Sequence, residues 1–149
     1  MSSFTNSILT LLTRDLQKLK EEISSYKKEE NLWLVKSDIS NSAGNLCLHL
    51  VGNLNAFIGA ELGNTGYIRQ REDEFGLKDV PRDEMLQKTD ETIAMLKNVV
   101  PSISQEDLEN EFPIVMSFGP IKTSLFLMHL CSHLTYHLGQ INYHRRLLD

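Results

Sequence analysis

The chain has 149 residues, 41% hydrophobic and 23% charged, which matches globular averages and predicts one domain over residues 1–149 that buries roughly two-thirds of its unfolded surface. Its 15 Lys and Arg against 20 Asp and Glu leave a formal charge of −5, and no basic stripe interleaves with aromatics, so nucleic acid is disfavoured as a partner. No run approaches the ~18 consecutive apolar residues of a membrane span, and MSSFTNSILTLLTRDLQ lacks the basic start and cleavage site of a signal peptide, so a cytoplasmic protein with no membrane partner is expected.

From Phe4 to about Tyr26 the apolar residues Ile8, Leu11, Leu12, Leu16, Leu19 and Ile23 recur at steps of three and four, which predicts an amphipathic helix with a solvated charged face. Lys27 to Asn41 reads as a connector folding over one end of the molecule. It holds Trp33, read as a cap on the core rather than a residue at a pocket mouth. The connector ends in good N-cap residues. A second, mostly apolar helix is predicted from Ser42 to Leu62, stopping at Gly63 and Asn64. Within it Asn45, His49 and Asn53, four residues apart, draw a polar line through a hydrophobic segment. Buried, such groups need partners; the alternative is that both asparagines face solvent and His49 is a lone core histidine.

Gly63 to Asp79, about 17 residues rich in glycine and charge, reads as a loop longer than most connections. In it Arg69 or Arg71 is a candidate to grip an anionic substrate through its planar fork. Asp79-Val80-Pro81 signals the start of a third helix, with Met85, Leu86, Thr89, Ile93, Leu96 and Val100 facing inward. Ser102 to Lys122 reads as a long irregular or weakly β crossover, with a short helical turn at Ser104 to Asp107. The last helix is predicted from about Ile121 to Leu148. The fold class is therefore all-α, a four-helix bundle with a long irregular crossover before the last helix.

That last helix carries four of the five histidines. His129, His133 and His137 follow at steps of four, each about 6 Å further along the axis and turned by about 40°. Two imidazoles at this spacing can share one metal ion, whereas His129 and His137, about 12 Å apart along the axis, cannot readily do so. His49 supplies a third ligand from a facing helix. Which neighbouring pair on the last helix binds is left open by the spacing, since both pairs are alike. Three ligands leave a position open for water or substrate, as in catalytic zinc sites, and imidazole suits several divalent metals. Cys47 and Cys131 each stand two residues from a histidine, about 200° around the helix, and read as reduced core thiols. His144 reads as an exposed or packing residue near the helix end.

The segment HLCSHLTYHLGQINYHRRLL resembles the C-terminal helix of DinB-like metal-binding four-helix bundles, in which a histidine, three residues and a second histidine are followed closely by Gly-Gln. The resemblance places the metal ligands at His133 and His137, ahead of Gly139 and Gln140, with His49 as the third; His129 becomes a neighbour at the site's edge. It spans essentially the whole chain, and GNTGYIRQREDEF is similar to a subgroup with no settled activity. One departure is Leu138, where many members have arginine. The resemblance implies a divalent transition metal, Zn or Ni ahead of Fe or Mn, a low-molecular-weight thiol, a homodimer, and thiol S-transferase chemistry on small electrophilic substrates. A stress-related bundle that binds metal or a small ligand without catalysis is the alternative. Asn53, Tyr136 and Gln140 are the candidate helpers, and no carboxylate stands at a helical spacing suited to a general base.

Overall fold

The computed structural model describes residues 1–149 and is all-helical. Helix α1 (Ser3–Ser25) starts where the Ser2 hydroxyl accepts from Thr5 N–H, 3.1 Å away, and buries Ile8, Leu12, Leu16, Leu19 and Ile23. Leu11, expected inside, lies at the edge of that stripe and is exposed. The connector makes one 3₁₀ turn at Glu29–Trp33. Trp33 lies across the first turn of the next helix, so close that a Cβ on Gly44 would come within 2.7 Å of its ring. The indole covers the core there.

Helix α2 (Ala43–Gly63) is capped by the Ser42 side chain and passes through a π-helical segment, Asn55–Ala60, before ending at left-handed Asn64. It is long and apolar enough by composition to cross a membrane. Here it is the most enclosed helix, with every residue from Ala43 to Leu54 buried. The long loop after it is partly helical: Arg71–Gly76 forms α3, with Glu72, Asp73 and Glu74 in its first turn, where carboxylates oppose the positive end of the helix dipole. The glycines and charges of this stretch hid that turn from pattern reading.

Helix α4 (Arg82–Val99) begins after Pro81, not at Asp79, whose φ of 55° puts it in the left-handed region. In place of a side-chain cap, Glu29 accepts from Arg82 N–H at 2.7 Å. Met85, Thr89, Ile93 and Leu96 face the core as expected. Helix α5 (Gln105–Glu109) is closed by a Ser104–Asp107 capping box. The crossover contains two isolated bridges, Glu111 with Lys122 and Met116 with Gly119, and no strand. Helix α6 (Thr123–Leu148) then runs 26 residues.

Both α1 and α2 pack on α4 and on α6, and α3 packs on α2. Helices α1, α2, α4 and α6 share one contiguous apolar core, to which α5 adds Leu108. Helices α2 and α6 run antiparallel: Phe57 meets Phe126 at a centroid distance of 5.2 Å, while His49 meets His133 at 5.0 Å and His137 at 5.3 Å.

Candidate metal centre

The antiparallel pairing of α2 and α6 brings three of the histidines together. His49 comes from the enclosed part of α2, and His133 and His137 come from successive turns of α6. Nε2 of His49 lies 3.1 Å from Nε2 of His133, and one ring nitrogen from each histidine lies within 4.8 Å of the other two. An ion held tetrahedrally with Zn–N near 2.05 Å separates its nitrogens by about 3.3 Å. One edge of such a site is therefore in place, and the third nitrogen must draw in by at most about 1.5 Å. This group can hold a metal ion.

The outer nitrogens show how two of the rings are oriented. His49 Nδ1 lies 3.0 Å from Glu74 Oε1, which can only accept, so Nδ1 carries the proton and Nε2 presents its lone pair. His137 Nδ1 donates to Gln140 Oε1 at 2.7 Å, with the same result. Burial, reinforced by His137 and His49, pushes the His133 imidazole down to about 3. Burial also lowers His137, against the opposing bond to Gln140. Neutral imidazole is the form that ligates a metal.

Glu74 is the residue that helical spacing could not reveal. Its carboxylate is buried and takes both prongs of Arg69, Nε to Oε2 and Nη2 to Oε1, each at 2.9 Å, in addition to the His49 bond. Burial alone would raise the Glu74 carboxyl; bonds from His49 and Arg69 outweigh it and hold the group below the usual carboxylate range. Two features of α2 receive it. Gly52 leaves the space, since a Cβ there would overlap Oε2 and come within 2.6 Å of Cδ. Asn45 ties down the backbone at Glu74 and just after it, its amide donating to Glu74 O at 3.0 Å and Leu77 O at 2.8 Å. The polar line of α2 thus faces inward throughout, with Asn45, His49 and Asn53 all buried.

The remaining candidates are dispersed. Arg69 meets the cluster through Glu74, which occupies its fork, and directly at His49, whose Nδ1 lies 3.4 Å from Nη2; its guanidinium carbon also lies 5.5 Å from the Phe57 ring centroid. Arg71 is exposed and stacks on Phe75, whose ring in turn lies 4.8 Å from that of His49. Tyr136 is exposed beside His137. Together with Asp38, Leu46, Gln140 and Tyr143 these two line a groove of about 540 Å³, a volume in the range of small-ligand sites. Asn53 Oδ1 and His133 Nδ1 are buried without hydrogen-bond partners. His129 is exposed, stacked on Phe126, and outside the cluster. His144 is buried, bonded to the Tyr26 hydroxyl at 2.7 Å and Leu34 O at 2.9 Å. Cys47 is buried, Cys131 half-buried, and both are free thiols away from the cluster; burial pushes them up to about 12 and about 11.

A family model described as a protein of unknown function, DUF1572, matches residues 3–149. Comparison with curated proteins finds no match to the chain.

Proposed function

Because the chain belongs to the DUF1572 family, whose description assigns no activity, we propose its function from the site: a metal-dependent enzyme of thiol S-transferase type acting on small electrophiles. The carrying observation is that three ring nitrogens from two helices converge within 4.8 Å while Glu74 and Gln140 hold two of the rings with their lone pairs free. His49, His133 and His137 would hold a divalent ion, Zn or Ni ahead of Fe or Mn, and it would supply the Lewis acidity that lowers the pKa of a thiol or water. Three protein ligands leave room for that thiol.

The chain's own groups have separate tasks in this reading. Glu74, with both oxygens engaged by His49 and Arg69, orients a ligand and is no free base, which argues against a glutamate-dependent hydrolase. Tyr136, Tyr143 and Gln140 line the groove beside His137, where the electrophile would sit. Arg71, exposed near His49 through Phe75, remains the cation for an anionic substrate. The packing of α1 and α2 on both α4 and α6, with the ligands on α2 and α6, supports reading the fold as a DinB-like four-helix bundle. Exposed Leu125 and Met128 on α6, outside that groove, support a homodimer.

Metal analysis of the purified protein and of His49→Ala, His133→Ala and His137→Ala tests the centre. Stoichiometric metal in the parent and its loss in the variants is expected; metal that is absent, or survives all three changes, ends the proposal. The metal-loaded protein is then assayed with low-molecular-weight thiols and electrophilic acceptors. Neither turnover nor metal-dependent thiol binding would remove the transferase assignment. The lack of a free carboxylate at the cluster favours a second reading, a binding protein without catalysis, which shows saturable binding and unchanged ligand.

A further inference from the structure

Two of the three histidines in the cluster have an acceptor for the outer ring nitrogen, and His133 has none: its Nδ1 is buried and unpartnered. One turn beyond His49 on α2, Asn53 Oδ1 is in the same condition, in a residue only 6% exposed. The antiparallel pairing of Phe57 with Phe126 and of His49 with His133 sets Asn53, midway between His49 and Phe57, against the stretch of α6 that runs from Phe126 to His133. The two orphaned atoms thus belong to facing helices, within about one helical turn of each other along the axis.

Their chemistry is complementary in one protonation state only. Two bare Nε2 lone pairs 3.1 Å apart repel, so either a proton or a cation lies between His49 and His133. The His49 proton is committed to Nδ1 by Glu74. With both rings neutral, a proton in the gap therefore belongs to Nε2 of His133, and its Nδ1 is then an acceptor, which cannot pair with the Asn53 carbonyl. A cation in the gap displaces that proton. The neutral ring then carries its single proton on Nδ1, now a buried donor in need of an acceptor.

Resting on the three-histidine metal reading, we propose that Asn53 is a positioning residue for the metal centre, its Oδ1 accepting the Nδ1–H of His133, directly or through one water, when Nε2 engages the ion. Each ligand then has its own acceptor: Glu74 for His49, Gln140 for His137 and Asn53 for His133. No proton is gained or lost by the ring in the exchange; one leaves Nε2 and one arrives at Nδ1 through solvent.

The test is chelator-competition titration of Zn²⁺ and Co²⁺ into the full chain and into Asn53→Leu and Asn53→Asp, with ¹⁵N NMR of the His133 ring. Removal of such an acceptor lowers metal affinity about 10–100-fold, so Asn53→Leu should lose that much while Asn53→Asp, which keeps an acceptor, binds near the parent value. The His133 proton should move from Nε2 to Nδ1 on metal addition. In the presence of chelator Asn53→Leu should melt at or above the parent temperature, because it removes a buried carbonyl that has no partner there. Equal metal affinity in Asn53→Leu, or a loss of thermal stability of the same size with and without metal, overturns the proposal. A parent protein with no metal affinity overturns the underlying reading as well, and so is distinct from either result.

Discussion

Replacing Gly52 by alanine adds a single methyl group, and the structure specifies what it displaces. The new Cβ would overlap Glu74 Oε2 and stand 2.6 Å from Cδ, where ordinary contact begins near 3.4 Å. The carboxylate must therefore retreat from α2 by about 0.8 Å or more. His49 is on α2 as well, so that movement stretches its 3.0 Å bond to Glu74 beyond the range in which a hydrogen bond is counted. Losing a carboxylate partner from a ligating histidine costs about 10–100-fold in metal affinity, or about 1.4–2.7 kcal/mol. Overpacking a well-filled site adds about 1–3 kcal/mol of destabilisation. Zn²⁺ affinity by chelator competition and urea unfolding measure the two effects. Gly139→Ala, where nothing lies within 4 Å of the new Cβ, is the control; it leaves metal affinity unchanged and gains up to about 1 kcal/mol from helix propensity. A double-mutant cycle with Glu74→Ala identifies the cause: the affinity cost of Gly52→Ala should vanish once Glu74 is gone. Wild-type affinity in Gly52→Ala, or strict additivity with Glu74→Ala, would refute this account of the site.

Acid should weaken the protein, measured with chelator present, through His133. Its folded value of about 3 lies below the 6.5 of the free imidazole, so between these values the unfolded chain binds more protons; stability present above pH 6.5 is lost as pH falls toward 3. Denaturant unfolding at pH 7.5 and 5 should show a smaller loss in His133→Leu than in the parent, and parallel curves would contradict it. Tyr26→Phe leaves His144 Nδ1 without its donor in a site where both residues are at most 4% exposed; it should cost about 1–3 kcal/mol, read as a lower melting temperature with unchanged metal affinity. Asn45→Ala frees the backbone carbonyls of Glu74 and Leu77; proteolytic nicking between residues 64 and 79 should accelerate, and metal affinity should fall with it.

The parts of this molecule that repeat along a helix are legible in the sequence. Ile8, Leu12, Leu16, Leu19 and Ile23 on α1, and Met85, Thr89, Ile93 and Leu96 on α4, all point inward because a 3.6-residue period leaves one face apolar. The same arithmetic put His133 and His137 on one side of α6. What it missed depends on chain that is distant in sequence. Glu74 lies 25 residues from His49 in a segment whose composition signals a loop. Its clearest trace in the sequence was indirect: a line of Asn45, His49 and Asn53 in an apolar helix requires partners from somewhere. Arg69 was read as a hand for the substrate because a free guanidinium is a natural carboxylate receptor; the carboxylate it grips belongs to the protein. The start of α4 was misplaced because Asp79 has the chemistry of a cap, while Glu29 from the connector receives the Arg82 N–H instead.

The loop after α2 is therefore structural support for the three-histidine cluster, and its stability is coupled to the placement of His49. Asn45 holds the loop's backbone, Gly52 admits its carboxylate, and Glu74 orients His49, all from three positions within eight residues of α2. The segment cannot lift from α2 without breaking the His49 bond and exposing the Arg69–Glu74 pair to water. Conversely, a cation on Nε2 would make His49 Nδ1–H a stronger donor to Glu74 and so would tighten the loop. Linkage requires the two effects to be equal in free energy. Metal affinity and loop protection thus report one equilibrium, which is why Asn45→Ala, far from any ligating atom in its own contacts, is expected to move both.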